Sequence, residues 1–174
     1  MRLVRIVSGG QTGVDRAALD TAMAFGLACG GWVPRGRRAE DGEVPHHYPK
    51  RETRSYAYAE RTRRNVRDSD GTLILAAGKP TGGTALTAAF ARQLGKPCLL
   101  IDLKAVPDPV AISDWLGRYS IRVLNVAGPR ESTCPGIHGQ AKALLSALLR
   151  AGEGVRAHQP AQQAALPPAS ANVD

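Results

Sequence analysis

The chain has 174 residues, 43% of them hydrophobic and 22% charged, which is enough for one domain with a real core and too little for two. Its formal net charge of +8 attracts anions, but only 5% of its residues are aromatic. Few rings therefore stand beside the basic runs "RGRR", "KRETR" and "RTRRNVR", which argues against a nucleic-acid groove. Three scattered cysteines with no CxxC argue against a disulfide frame or a zinc site and for a reducing compartment. No signal peptide and no stretch of roughly 20 apolar residues is visible, so the expectation is a cytoplasmic protein.

Residues 2–7, "RLVRIV", read as a first strand. Residues 14–26 read as a helix, with Val14, Ala18, Ala22 and Phe25 on one face at helical spacing. Gly26 stops it, and "LACGGWV" reads as a short strand ending at Pro34. Residues 35–54 are polar, basic and rich in turn formers, which predicts a long loop of functional interest. A basic helix is expected over 56–68, then a wholly apolar buried strand, "GTLILAA". "GKPTGGT" leads into an Ala-rich helix over 84–94, and "PCLLIDL" reads as another apolar strand.

A helix over 109–119 should bury Trp115 and Leu116. The strand "IRVLNVAG" follows, then the loop "PRESTCPGIHGQ" and a last helix over about 137–151. Beyond residue 152 the composition turns to Ala, Gln and Pro, and 153–174 is expected to be a disordered tail. The expectation is thus one domain over 1–152. Strands alternating with helices predict an α/β fold, a Rossmann-like doubly wound parallel sheet with helices on both faces. Right-handed crossovers put every strand's carboxyl end on one edge, where such folds bind ligands.

Three loops should meet at that edge: "SGGQTG", "GKPTGGT" and "AGPREST". Each reads alone as a tight turn between strand and helix. Together they combine flexible backbone, hydroxyl donors and helix N-termini, which favour a phosphate-sized anion. The candidate ligand contacts are Gly9, Gly10, Gln11, Thr12 and Gly13 in the first loop, and Gly82, Gly83 and Thr84 in the second. Arg130 and Ser132 follow in the third, with Arg61 and Asn65 from the basic helix. Asp15, in the first turn of its helix, is either a dipole-compensating residue or a contact to a polar group of the ligand. His46 and His47 are adjacent with no third ligand near in sequence, so no metal site is expected.

The segments "SGGQTGVDRAALD", "GWVPRGRRAEDG", "RTRRNVRDSDGTLIL", "GGTALT" and "LNVAGPRES" resemble the molybdenum cofactor carrier proteins over residues 3 to about 150. That family shares a Rossmann-like superfamily with the LONELY GUY phosphoribohydrolases and the DNA-processing protein DprA. The resemblance implies a homodimer or homotetramer whose pocket holds the molybdenum cofactor, a phosphorylated pterin, and passes it on to molybdoenzymes. It leaves a nucleotide or a simple oxyanion open as the ligand. The basic helix 56–68 is the element expected at a subunit interface.

The phosphoribohydrolases carry P-G-G-x-G-T-x-x-E, and "KPTGGTALT" parallels it with Gly83 and Thr84 at the Gly-Thr pair. Arg61 parallels their active-site arginine. Their glutamate, however, is here Thr87, which carries no charge to support an oxocarbenium-like transition state. The reading therefore leans to a binding protein, with a nucleoside monophosphate phosphoribohydrolase and a nucleotide-sensing module as alternatives. Cys134, near Arg130 and the last helix, is a candidate for a lowered thiol pKa with a redox or metal-ligating role.

Overall fold

The structure is a computed structural model and describes residues 3–154. In chain order the elements are β1 (Arg5–Val7), α1 (Val14–Ala24), β2 (Ala28–Gly30) and β3 (Trp32–Val33). A 3-10 turn (Arg35–Arg37), β4 (Arg38–Ala39), β5 (Gly42–Glu43) and β6 (Arg51–Glu52) follow. Then come α2 (Tyr58–Arg67), β7 (Gly71–Ala76), α3 (Gly82–Gln93), β8 (Cys98–Asp102), α4 (Pro109–Arg118), β9 (Val123–Ala127) and α5 (Ile137–Gly154). The expected tail lies outside the described residues.

The central sheet has five strands in the order β2-β1-β9-β7-β8, and every pair is parallel. The chain thus winds outward from β1 to β2, restarts at β7 and winds the other way to β8. The last strand, β9, then enters between β1 and β7. Right-handed crossovers with opposite directions of travel put helices on opposite faces. α1, α4 and α5 pack together on one face, and α2 and α3 pack together on the other.

The strands form where apolar and β-branched residues run together between turn residues. β7 is buried along its whole length, as its apolar run predicts, because sheet neighbours flank it and helices cover both faces. Ile6, Leu73, Leu75, Leu124 and Val126 meet Val14, Ala17 and Ala18 of α1 and Ile137, Ala141 and Leu145 of α5 in the main core. β8 is the apolar strand expected from "PCLLIDL", but it is not buried like β7. It is the sheet's edge, and exposure alternates along it, with Leu100 half exposed. Trp115 and Leu116 are only partly buried against the core.

The expected strand 27–33 is broken into β2 and β3 at Gly31. β2 joins the main sheet, whereas β3 pairs with β6 in a separate two-stranded ladder. The expected loop 35–54 is an ordered excursion rather than an irregular one. It contains the β4–β5 hairpin and supplies Val44 and Tyr48 to a second core with Leu19 and Val33. Tyr48 pins it to α1 through a 2.6 Å hydrogen bond from its hydroxyl to Asp20. No helix among the described residues is long and apolar enough to cross a membrane.

Candidate functional site

β1, β9 and β7 are consecutive in the sheet, so the three loops at their carboxyl ends are neighbours. A cavity of about 560 Å³ opens there, within the usual range for small-molecule sites. Of the expected contacts, Gln11, Asp15, Arg61, Gly82, Gly83, Thr84, Arg130 and Ser132 line it. So do Thr87 and Cys134.

Gly9, Gly10, Thr12, Gly13 and Asn65 do not line the cavity, and each has another task. A Cβ on Gly9 would fall 1.5 Å from Arg61 Nη1 and 2.7 Å from Asp15 Oδ2, so the missing side chain leaves room for this ion pair. Gly10 packs under Val33 of β3 and Val44 and Lys50 of the excursion. Gly13 has φ +72, and a Cβ on it would lie 2.4 Å from the Pro129 carbonyl, so it lets the first and third loops touch. The Thr12 hydroxyl bridges, donating to Glu40 and accepting from the Glu131 amide at 3.2 Å. Asn65 is buried and committed to backbone: its side chain accepts from Trp32 N at 2.7 Å and donates to Trp32 O at 3.0 Å.

The anion expected at the first loop is supplied by the chain itself. The amide of Gln11 donates to the carboxylate of Asp15 at 3.2 Å, and this residue is only 4% exposed. Burial pushes the Asp15 pKa up, and the charges of Arg61 and Lys50 oppose that rise without cancelling it. Arg61 Nη1 lies 3.6 Å from Asp15 Oδ2. Lys50 reaches in from the excursion and donates to the carbonyls of Ser8 at 2.9 Å and Gly30 at 2.5 Å. The third loop is filled in a similar way, by Glu40: the Ser132 hydroxyl donates to its carboxylate, and Arg130 Nη1 stands 3.9 Å away.

The second loop differs. No side chain caps the N-terminus of α3, which begins at Gly82 and faces the cavity. Among the described residues three buried side-chain donors lack a hydrogen-bond partner, and two of them, Gln11 Nε2 and Arg61 Nε, belong to residues that line the cavity. A buried donor left unpaired costs roughly 1–3 kcal/mol, which an acceptor on a ligand would recover. Thr87, at the position of the hydrolase glutamate, is buried and donates its hydroxyl to Gly83 O at 2.9 Å. The Cys134 thiol is half-buried at the wall.

Tyr58, Lys50 and Glu40 also belong to this region, beyond the expected contacts. Tyr58 lines the cavity, with the guanidinium carbons of Arg130, Arg38 and Arg61 at 5.5, 5.8 and 5.8 Å from its ring. It was legible, since it stands three residues before Arg61 on one helix and so shares its face. Lys50 and Glu40 were not, because only the folding back of the excursion brings them to the sheet edge.

The circularly permutated YpsA SLOG family model matches residues 6–149. A crystal structure titled "Putative molybdenum carrier protein", from Syntrophus aciditrophicus SB, is 47% identical, with a TM-score of 0.82 over 84% of this chain and 95% of that one. A structure of (E)-4-hydroxy-3-methyl-but-2-enyl diphosphate reductase is 13% identical, with a TM-score of 0.37 over 83% of this chain and 59% of that one, too distant to carry an argument. No curated protein matches the sequence. The family match spans nearly all the described residues, and this chain belongs to the circularly permutated YpsA SLOG family.

Proposed function

We propose that the chain is a carrier that binds a small anionic ligand related to molybdenum, in its fullest form the molybdenum cofactor with its pterin phosphate. The observation that carries the proposal is the pair of unpartnered buried donors, Gln11 Nε2 and Arg61 Nε, on side chains that line the cavity beside the uncapped α3 N-terminus. The 47%-identical neighbour named as a molybdenum carrier supplies the ligand class. In this reading Gly82, Gly83 and Thr84 hold the phosphate, with Arg61 and Arg130 balancing its charge. Tyr58 offers its ring to the pterin plane. Cargo of this kind would pass to molybdoenzymes, and a homodimer or homotetramer would enclose it more fully.

A second reading, hydrolysis of a nucleoside monophosphate, is favoured by one observation: the Asp15 carboxylate lines the cavity next to Arg61. The absence of charge at Thr87 weighs against it. Calorimetry on purified protein with molybdate, AMP and isolated molybdenum cofactor separates the readings. The expected result is micromolar or tighter binding of the cofactor, with no free base released from AMP on chromatography. Base release at a catalytic rate would replace the carrier reading with the enzymatic one.

A further inference from the structure

Two carboxylates of the chain occupy places where the loops were expected to meet an anion, and they differ in burial. Asp15 is fixed on α1 and buried under Gly9 and Arg61. Glu40 lies at the tip of the β4–β5 hairpin, among exposed residues. Its carboxylate accepts from the hydroxyls of Thr12 and Ser132 and from the Ser132 amide at 3.4 Å, and Arg130 stands beside it. These donors hold the Glu40 carboxyl below its usual pKa range, against an opposing effect of burial.

Arg130 and Ser132 also line the cavity. The cradle that Glu40 fills is therefore continuous with the candidate site. Gln11 joins the two: its Oε1 accepts from the Glu40 amide at 3.1 Å, while its Nε2 is the unpartnered donor of the cavity-lining side chain. The hairpin is also tethered by the pairing of Asp41 with Arg16 at 2.5 and 2.8 Å and by Arg38, which stands 5.8 Å from the Tyr58 ring.

We propose that the Thr12–Arg130–Ser132 cradle is an oxyanion subsite of the cavity, kept closed by Glu40, and that an anionic group of the ligand displaces the Glu40 carboxylate and frees the hairpin. The inference rests on the reading of the cavity as an anion site. A tetrahedral oxyanion presents the same acceptors as a carboxylate and more of them, so one set of donors serves both. The exchange lowers the apparent affinity by the fraction of molecules in which Glu40 has left the cradle. Release therefore becomes easy once a competing carboxylate is always at hand, which suits a protein that must give its cargo up.

The test compares wild type with E40Q, using inorganic phosphate and molybdate as calorimetric probes and amide hydrogen exchange over residues 38–44. E40Q should bind both probes roughly tenfold more tightly. In wild type, saturating phosphate should speed exchange at the Glu40 and Asp41 amides, the reverse of ordinary ligand protection. E40D, which withdraws the carboxylate by one methylene, should move affinity in the same direction and serves if E40Q does not fold. Equal or weaker binding by these variants, with exchange unchanged in wild type, overturns the displacement and leaves the cavity reading standing. Failure of every protein to bind either probe removes both.

Discussion

Lys50 shows how far one residue's role can stand from its sequence signature. In "KRETR" it reads as one solvated charge among several. In the fold its ammonium lies beneath the first loop and donates to two backbone carbonyls. Burial pushes its pKa down to about 7, and the nearby Asp15 charge only partly opposes this. The unfolded chain keeps the Lys50 proton until about pH 10.4. Between those values the unfolded state holds the extra proton, so the lysine makes stability rise with pH. The slope reaches at most about 1.4 kcal/mol per pH unit. Urea unfolding of wild type and Lys50→Met between pH 6.5 and 9.5 should show the difference, wild type minus variant, climbing above pH 7. A difference that stays level across that window would mean the lysine keeps its proton in the folded protein.

At the scale of elements, periodicity made the helices and β7 legible, and it failed over residues 35–54. Helices declare themselves through repeated backbone bonds and a 3.6-residue apolar rhythm. The excursion is ordered instead by side chains reaching backbone, which leaves no rhythm to read. Arg37 is its centre. It is buried, adopts φ +50, and donates to the carbonyls of Val44 at 2.9 Å, Pro45 at 2.9 Å and Tyr48 at 3.1 Å. Nothing in "RGRR" distinguishes this arginine from its exposed neighbours. Arg37→Ala should therefore open the excursion while sparing the sheet. Losing charge-assisted bonds of this kind costs about 2 kcal/mol or more. Tryptic cleavage at Arg35, Arg38 and Arg51 should accelerate about 30-fold, because cleavage follows the open population. If cleavage keeps the wild-type rate, the hydrophobic contacts of Val44 and Tyr48 hold the segment without the arginine.

The candidate site was legible in kind more than in contact. Three small-residue loops before helices pointed to one sheet edge, and the strand order puts them side by side. Which donors stay open was not legible, since Asp15 and Glu40 answer two of the loops from within the chain. Asn65 likewise looked like a ligand contact and serves Trp32, a partner 33 residues away. Sequence spacing carries local geometry, whereas such pairings depend on the topology that folds distant segments together.

For the whole molecule, the decisive feature is the entry of β9 between β1 and β7, which no local pattern in "IRVLNVAG" announces. Leu124 occupies that junction. It is fully buried, and its backbone is in register with Ile6 on one side and Gly71 on the other. The first and second windings of the sheet are thus joined through a strand from near the end of the described chain. If that junction is the keystone, the halves cannot unfold separately. Leu124→Ala should cost about 2–5 kcal/mol, as large-to-small changes in packed cores do. It should shift the urea midpoint without changing the slope of the transition, because the same surface is exposed in one step. Two resolved transitions in the variant, with one half of the sheet outlasting the other, would show instead that each winding holds its own core and that β9 only bridges them. A single displaced transition would mean that the ligand edge, built from all three central strands, persists or is lost with the sheet as a unit.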